Sequence, residues 1–296
     1  MPYGIISAKN CWDGAKAKHN RYFDLYVKKK ILAYQSNLTL EIYDFIIENH
    51  ELIRDGTEEN FRLIQAAYDL IFSGISLNDQ IVVDAAVKNI FNYDVFSNKC
   101  KSRWCAYSLC KELGFKTCPY CNLSNEITLF KNDEGMMRPS LDHFLDKDRY
   151  PLFAISLGNL IPSCHHCNST YKGIKDFLTN HHLNPLYSDE SIKILLDVNI
   201  AEARYDLSKF QIANIELHYD PTLTEATNST ITFGLLARYQ ALITEVRDIA
   251  SNIVEYSTSG VKSPGYKRSV LRNVTKKNYR DRVFGKMIID MSTEYM

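Results

Sequence analysis

The stretch that decides the fold is bounded by two cysteine pairs, Cys118-Pro119-Tyr120-Cys121 and Cys164-His165-His166-Cys167. Each C-x-x-C knuckle can place two thiolates about one tetrahedral edge apart, so two knuckles can complete a zinc shell. We therefore predict a structural Zn²⁺ site with four ligands, Cys118, Cys121, Cys164 and Cys167. Four thiolates leave no position for water, so any chemistry must lie elsewhere. Buried thiols are one alternative. A redox pair is another, although neither pair follows the strand-to-helix pattern of a thioredoxin-like unit.

The interval between the knuckles carries polar residues suited to phosphodiester hydrolysis, in the stretch LDHFLDK from Leu141 to Lys147. That reaction needs a base for water and a cation for the developing negative charge. His143 is a neutral acceptor at pH 7, because the unperturbed pKa of histidine is about 6.5. Asp142 is adjacent, and on an extended backbone its side chain diverges from that of His143 and can hold a hard cation. Asn168, next to a zinc ligand, can supply a neutral oxygen to the same cation.

Four ordered elements in this region resemble the HNH endonucleases of the ββα-metal group, in their zinc-stabilised form. The elements are CPYC, LDHFLDKxxYP, NLIPSC and CxxCNxxxK, and together they run from Cys118 to Gly173. The wording is most similar to HNH proteins of bacterial anti-phage systems such as Septu and certain retrons. The resemblance implies a nuclease in anti-phage defence, accompanied by an ATPase subunit. No P-loop pattern occurs in this chain, so nucleotide hydrolysis would belong to another subunit.

The resemblance also implies roles for individual residues. Asp142 and Asn168 would hold one Mg²⁺, with Mn²⁺ as an alternative ion, and His143 would be the general base. Asn159 would orient His143 from the second β-segment. Two positions depart from the pattern, since relatives often have His in place of Asn168 and Pro in place of Asp146.

Apolar residues at helical spacing dominate both flanks and predict an α+β chain that is mostly α-helical. The resemblance implies that a ββα-metal module with its structural zinc lies between these helical regions. We predict an N-terminal helical region over 1–115, the nuclease module over 116–190, and a C-terminal helical region with short strands and a basic end over 191–296. The predicted elements include a helix starting at Thr57, a helix capped by Ser76 and Asp79, a helix over Lys101–Leu113, strands within 192–200 and 210–219, and one long helix over Thr224–Tyr256.

The basic end has nine Lys and Arg residues against one Asp between Lys262 and Lys286, a local charge of +8. Such a segment could contact several phosphates, with an affinity that falls steeply as salt rises. A solvated helix face and a dock for an acidic protein partner are the alternatives. The cations that we predict to contact nucleic acid are Lys147, Lys172, Lys267, Arg268, Arg272, Lys276 and Lys277.

The composition limits the remaining choices. The 296 residues include 35 Lys and Arg against 35 Asp and Glu, so no overall charge draws the chain to phosphate. We find neither a signal peptide nor a membrane span, and we predict a cytoplasmic, reducing environment. In that setting the other four cysteines, Cys11, Cys100, Cys105 and Cys110, are expected to be core thiols.

Three functions remain open from the sequence. The first is a metal-dependent HNH endonuclease acting on DNA. The second is a zinc-dependent nucleic-acid-binding module without catalysis. The third is an HNH nuclease acting on RNA, because the motif addresses the phosphate backbone rather than the base or sugar.

Overall fold

The computed structural model describes residues 6–99 and 103–296 and shows a mostly helical, mixed α/β chain with small antiparallel sheets. The first helices are α1 (Asp13–Tyr34), α2 (Leu40–Glu48), α3 (His50–Asp55), α4 (Glu58–Gly74), α5 (Leu77–Ile90), α6 (Tyr93–Ser97) and α7 (Ala106–Lys111). The later helices are α8 (Ile200–Ala203), α9 (Thr224–Thr232), α10 (Leu235–Gln240), α11 (Ile243–Thr258), α12 (Pro264–Val270) and α13 (Gly285–Tyr295). This confirms the prediction of a mostly helical α+β chain.

Three antiparallel strand pairs lie between and after these helices. The strands are β1 (Leu129–Lys131), β2 (Glu134–Met137), β3 (Ser140–His143), β4 (Leu160–Ser163), β5 (Lys193–Asp197) and β6 (Asn214–His218). They pair as β1 with β2, β3 with β4, and β5 with β6. A π-helix, His166–Lys172, follows β4 directly. The strands predicted within 192–200 and 210–219 are confirmed.

The helix-start signals of the N-terminal region are also confirmed. Thr57 caps α4 by accepting a hydrogen bond from the Asn60 amide, and Ser76 caps α5 in the same way through Asp79. Such caps each contribute about 1 kcal/mol to helix stability. The predicted helix over Lys101–Leu113 begins outside the described residues. The helix observed within that range is α7. Sequence periodicity gave no prediction for α1, which buries one narrow stripe that includes Phe23, Val27 and Ile31.

The single long helix predicted over Thr224–Tyr256 is wrong. The chain forms α9, α10 and α11 instead, with Gly234 between the first two at a φ of +56°. A left-handed residue cannot continue a right-handed helix. A Cβ at Gly234 would also approach the Tyr171 ring to 2.9 Å, so the break allows the chain to pass close to the π-helix.

Two apolar clusters form the core. The first joins the N-terminal helices to the region of the cysteine pairs, for example where Phe61 packs on Phe153 with ring centroids 4.4 Å apart. The second joins β5 and β6 to α11 and α13. The predicted domain boundaries remain predictions, but a shared cluster means that the N-terminal helices are packed against the cysteine region.

One close approach shows how tight this packing is. Gly158, just before β4, lies against Gly56 at the end of α3, and a Cβ at Gly158 would collide with the Gly56 carbonyl and the Tyr187 hydroxyl. The Tyr187 hydroxyl also donates a hydrogen bond to the Gly56 carbonyl. The N-terminal helices therefore contact the backbone that leads into β4.

The cysteines outside the two pairs behave differently from one another. Cys11 and Cys110 are buried free thiols, as predicted. Cys105 is disulfide-bonded, so the prediction of a core thiol is wrong at that position. Cys100 lies outside the described residues. Among the described residues, none of the helices combines the length and the apolar character that crossing a bilayer requires.

Candidate metal centre and adjoining cleft

The four paired cysteines meet at one buried point. Their Sγ atoms all lie within 4.8 Å of one another, and the Sγ atoms of Cys121 and Cys164 are 4.0 Å apart. Tetrahedral zinc with Zn–S bonds of about 2.3 Å requires sulfur–sulfur edges of roughly 3.8 Å. The donor type, number and spacing therefore fit a structural zinc ion. His165 and His166 are exposed and outside the cluster.

Backbone and side-chain donors surround the sulfurs. The amides of Leu123 and Cys167 donate to Cys121 Sγ and Cys164 Sγ, each at 3.4 Å. Arg238 Nη1, on α10, donates to Cys167 Sγ at 3.2 Å. Four thiolates around Zn²⁺ carry a net charge of −2, so an adjacent guanidinium stabilises the cluster and these donors fix its geometry.

The Cys118–Cys121 knuckle is connected directly to β3. Tyr120 lies between its two cysteines, and its hydroxyl donates to Asp142 Oδ2 at 2.6 Å. Burial and the neighbouring Asp142 charge raise the pKa of Tyr120 well above its ordinary value, which keeps this donor protonated. Its ring stacks on Phe233 at 4.2 Å, so the knuckle positions Asp142 through a rigid aromatic side chain.

The β3–β4 hairpin and the π-helix bring together three of the predicted site residues. Asp142 pairs with Ile161 and His143 pairs with Leu160 across the hairpin, and Asn168 lies on the π-helix. Asp142, His143 and Asn168 line one cleft of about 350 Å³. The order along the chain is strand, strand, helix, and the cleft is lined by polar residues of the first strand and of the helix.

His143 is held in a defined tautomer. Its Nε2 lies 2.9 Å from the Ala154 carbonyl, which can only accept, so we assign the proton to Nε2 and the lone pair to Nδ1. The Tyr93 ring meets the imidazole edge to face, with ring centroids 4.3 Å apart. Burial, with smaller contributions from Lys172 and Lys147, lowers the pKa of His143 to about 4 despite the bond to Ala154. The imidazole is therefore neutral at pH 7.

Asn159 does not line this cleft but lies fully buried behind it. Its side chain accepts from the Leu145 amide at 2.7 Å and donates to the carbonyls of Leu145 and Phe153 at 2.9 and 3.0 Å. These bonds fix the backbone at Leu145 and at Phe153, the two ends of the loop that follows His143. Asn159 thus acts on the imidazole through the backbone, and among the described contacts the two side chains share no hydrogen bond.

Asp142 has two partners, and one of them was not expected. Lys172 Nζ is 3.1 Å from Asp142 Oδ1, and both side chains are at most 2% exposed. The same ammonium donates to the His143 carbonyl at 2.6 Å. We predicted that Lys172 contacts phosphate, whereas the structure buries it against Asp142, because an unpaired carboxylate at this depth would be costly.

The side chains that could hold a second metal ion carry oxygen atoms, the donor type that Mg²⁺ prefers. Asp142 and Asn168 both offer oxygen atoms to the cleft, which suits Mg²⁺. No side-chain hydrogen bond of Asn168 occurs within the described part of the chain. Lys172, however, already compensates the charge of Asp142. The site therefore attracts a cation less strongly than a site with two uncompensated carboxylates would.

The remaining predicted cations are on the surface. Lys147 lines the cleft and pairs with Asp148 at 2.9 Å. The cations of the basic end that we predicted to contact nucleic acid are all exposed, namely Lys267, Arg268, Arg272, Lys276 and Lys277. Lys286 differs, because it is 3% exposed and pairs with Asp290 at 2.5 Å. The segment is folded around α12 and α13 and is attached to the first knuckle through bonds such as that from Asn122 Nδ2 to the Arg282 carbonyl, at 2.9 Å.

Several residues of the cleft were missed from the sequence. Tyr93 and Ser97 come from α6, in the N-terminal region, and no local pattern predicts their position. Arg138 could have been found, because Arg138, Ser140 and Asp142 alternate along an extended chain and therefore share one side.

The comparisons with protein-family models, with curated proteins and with solved structures find no match for this chain.

Proposed function

We propose that the protein is a metal-dependent HNH endonuclease of the ββα-metal group that hydrolyses phosphodiester bonds in DNA. The observation that carries this proposal is that Asp142, His143 and Asn168 line one cleft beside the four-cysteine cluster. Asp142 and His143 lie on β3, which pairs with β4, and Asn168 lies on the helix that follows, and this order supports the assignment of an HNH module. Phosphodiester hydrolysis requires a base, a charge-stabilising group and a fixed scaffold, and this cleft supplies candidates for each.

His143 is the general base of the proposed reaction. With its Nε2 proton bonded to Ala154, Nδ1 is the nitrogen that takes a proton from water. The water oxygen attacks phosphorus, the bond to the 3′ oxygen breaks, and the products are a 5′ phosphate and, after protonation, a 3′ hydroxyl. Asn159 and Tyr93 hold the imidazole in place through the loop and the ring contact.

Asp142 and Asn168 are the proposed ligands of the catalytic cation. A Mg²⁺ or Mn²⁺ ion bound there would neutralise the charge that develops on the phosphate. Asp142 keeps a lone pair on each oxygen beyond those used by Tyr120 and Lys172, since each carboxylate oxygen accepts twice. The zinc cluster has a structural role, because it fixes Tyr120 and the start of the π-helix that carries Asn168.

The test is cleavage of supercoiled DNA, and in parallel of RNA, by purified wild type and His143→Ala, each with magnesium and without added magnesium. We expect wild type to cut DNA only with magnesium and His143→Ala to lose at least about 100-fold of the rate, the usual contribution of a general base. His218→Ala, at an exposed histidine of β6, is the control and should cut normally. Equal cutting by His143→Ala would remove the mechanism, and cleavage of RNA alone would change the substrate.

A second function is favoured by one observation. Lys172 already neutralises Asp142, as expected of a site that holds no catalytic cation. In that case the protein would be a zinc-dependent nucleic-acid-binding module. It would bind DNA equally with and without added magnesium, and wild type would never cut it.

The biological setting is proposed from the sequence resemblance alone. An anti-phage role with an ATPase subunit predicts that the chain copurifies with an ATPase encoded beside it and protects cells from phage. His143→Ala should abolish that protection without breaking the complex.

A further inference from the structure

The cleft is lined by three cations that differ in how their charges are balanced. Lys172 is 3.1 Å from Asp142, and Lys147 is 2.9 Å from Asp148. Within residues 6–99 and 103–296, Arg138 has no carboxylate within ion-pair distance. The other carboxylate of the lining, Asp146, accepts at Oδ1 from the amides of Asp148 and Arg149 and so stabilises its own turn. Arg138 is therefore the lining cation whose charge the protein leaves unbalanced.

The guanidinium of Arg138 is held in place beside Tyr93, and one of its donor atoms has no partner. Nη1 donates to the Pro139 carbonyl at 2.8 Å, and the group lies 5.3 Å from the centroid of the Tyr107 ring. Its Nε is shielded from solvent and has no hydrogen-bond partner. A shielded N–H without a partner costs about 1–3 kcal/mol, so the protein keeps this guanidinium in place at a cost in stability.

Arg138 also lies on the side of the chain that lines the cleft. It precedes Asp142 by four residues along an extended segment, and both side chains line the same cleft as His143. The planar guanidinium matches two oxygens of a phosphate at once, which an ammonium cannot do.

We propose that Arg138 binds the non-bridging oxygens of a polynucleotide phosphate that lies in the cleft beside Asp142 and His143. This role rests on the proposed function, because it assigns a substrate contact to the same site. Arg138 is the anchor that holds the backbone while the neighbouring residues act on the bond. A free phosphate monoester offers the same oxygens, so the experiment must separate the two sources.

The test is binding of a fluorescently labelled DNA duplex to the full chain without added magnesium, which prevents cleavage and leaves the cysteine cluster intact, measured by anisotropy over a range of salt. Loss of a charge-assisted contact predicts that Arg138→Ala weakens binding about 10- to 100-fold, since such contacts are worth about 1.5–3 kcal/mol. The slope of log K against log salt should fall by about 0.9, the value for one phosphate. Arg138→Lys should fall between the two, because it keeps the charge but not the fork. Arg149→Ala is the matched control, because Arg149 is 60% exposed, pairs with Asp176 and does not line the cleft.

The outcomes separate this proposal from the proposed function. Unchanged affinity and salt slope in Arg138→Ala, with melting unchanged, would overturn the Arg138 contact even if wild type cuts DNA. If Arg138→Ala does not fold, Arg138→Lys decides, and wild-type affinity with a wild-type salt slope there overturns the two-oxygen contact. Inorganic phosphate is titrated as a competitor in a further arm. A variant that loses phosphate binding but keeps DNA affinity would overturn the polynucleotide assignment. Weaker binding by Arg138→Ala in a protein that never cuts would support the contact and remove only the nuclease.

Discussion

The four-cysteine cluster and the adjoining cleft are both built from polar side chains on the same short elements, but they are completed in different ways. In the cluster every sulfur faces another sulfur, and Leu123, Cys167 and Arg238 supply the surrounding donors. In the cleft, the Asn168 side chain and the Arg138 Nε have no hydrogen-bond partner within the described chain, and Asp142 forms an ion pair with Lys172. This difference is expected if one metal ion completes the cluster and if the cleft receives a substrate, as we propose.

The largest effect should come from removing the zinc ion that we predict in the four-cysteine cluster. Structural zinc contributes about 10 kcal/mol or more in small zinc domains, which is comparable with the whole stability of a typical domain. We expect Cys164→Ser, or a strong chelator, to unfold the region around β3 and β4, as measured by near-ultraviolet circular dichroism and metal content. Cys110→Ala, at a buried free thiol outside the cluster, should retain one zinc per chain. A folded Cys164→Ser protein without zinc would show that the cluster is not a structural metal site.

An intermediate effect should come from breaking the ion pair between Lys172 and Asp142 in the cleft. Lys172→Met leaves Asp142 buried without its cation, and breaking such pairs costs about 3–5 kcal/mol. If Asp142 also binds Mg²⁺, added magnesium should restore part of this loss in thermal melts. Lys147→Met, at the exposed cleft lysine, should change stability by less than about 1 kcal/mol. A Lys172→Met protein as stable as wild type, with weakened DNA binding alone, would return Lys172 to the phosphate contact predicted from sequence.

The smallest effect concerns the turn that supports His143. His19 Nε2, on α1, donates to the Ile155 carbonyl at 2.9 Å, next to the Ala154 carbonyl that holds His143, and His19 Nδ1 accepts from Trp104. Burial lowers the pKa of His19 from 6.5 to about 4. The unfolded chain therefore takes up the proton first, so this stability is complete above pH 6.5 and is lost as the pH falls toward 4.

The loss attributable to His19 should approach about 3 kcal/mol at pH 4, since one pKa unit corresponds to about 1.4 kcal/mol. Denaturant unfolding followed by tryptophan fluorescence at several pH values measures it. His19→Gln should show a shallower decline than wild type, whereas His218→Gln should follow wild type. Parallel curves for His19→Gln and wild type would mean that His19 is not buried as a neutral group.

The sequence predicts the parts of these sites that depend on local spacing. Two C-x-x-C knuckles predict the cluster, because a four-residue turn fixes the separation of its thiolates. Asp142 and His143 are adjacent, and Asn168 follows a zinc ligand, so a shared cleft could be expected before the structure was known. The starts of α4 and α5 are equally local, because a cap needs only three residues.

Other features depend on packing between distant segments and could not be predicted. Tyr93 reaches His143 from a helix 50 residues earlier in the chain, and Lys172 is buried only because the π-helix closes over Asp142. The same reason explains the error over Thr224–Tyr256. Apolar spacing continues through Gly234, and only the approach of Tyr171 shows why the helix stops there.

The contact between Gly56 and Gly158 bears on how this chain can be shortened. A fragment cut at the cysteine pairs would lose Tyr93, His19 and the α3 backbone, leaving the apolar side of the turn behind His143 open to water. The smallest autonomous unit that preserves the geometry of the cleft must therefore extend well upstream of Cys118. Any effort to transplant the cleft into another scaffold should carry the preceding helices with it.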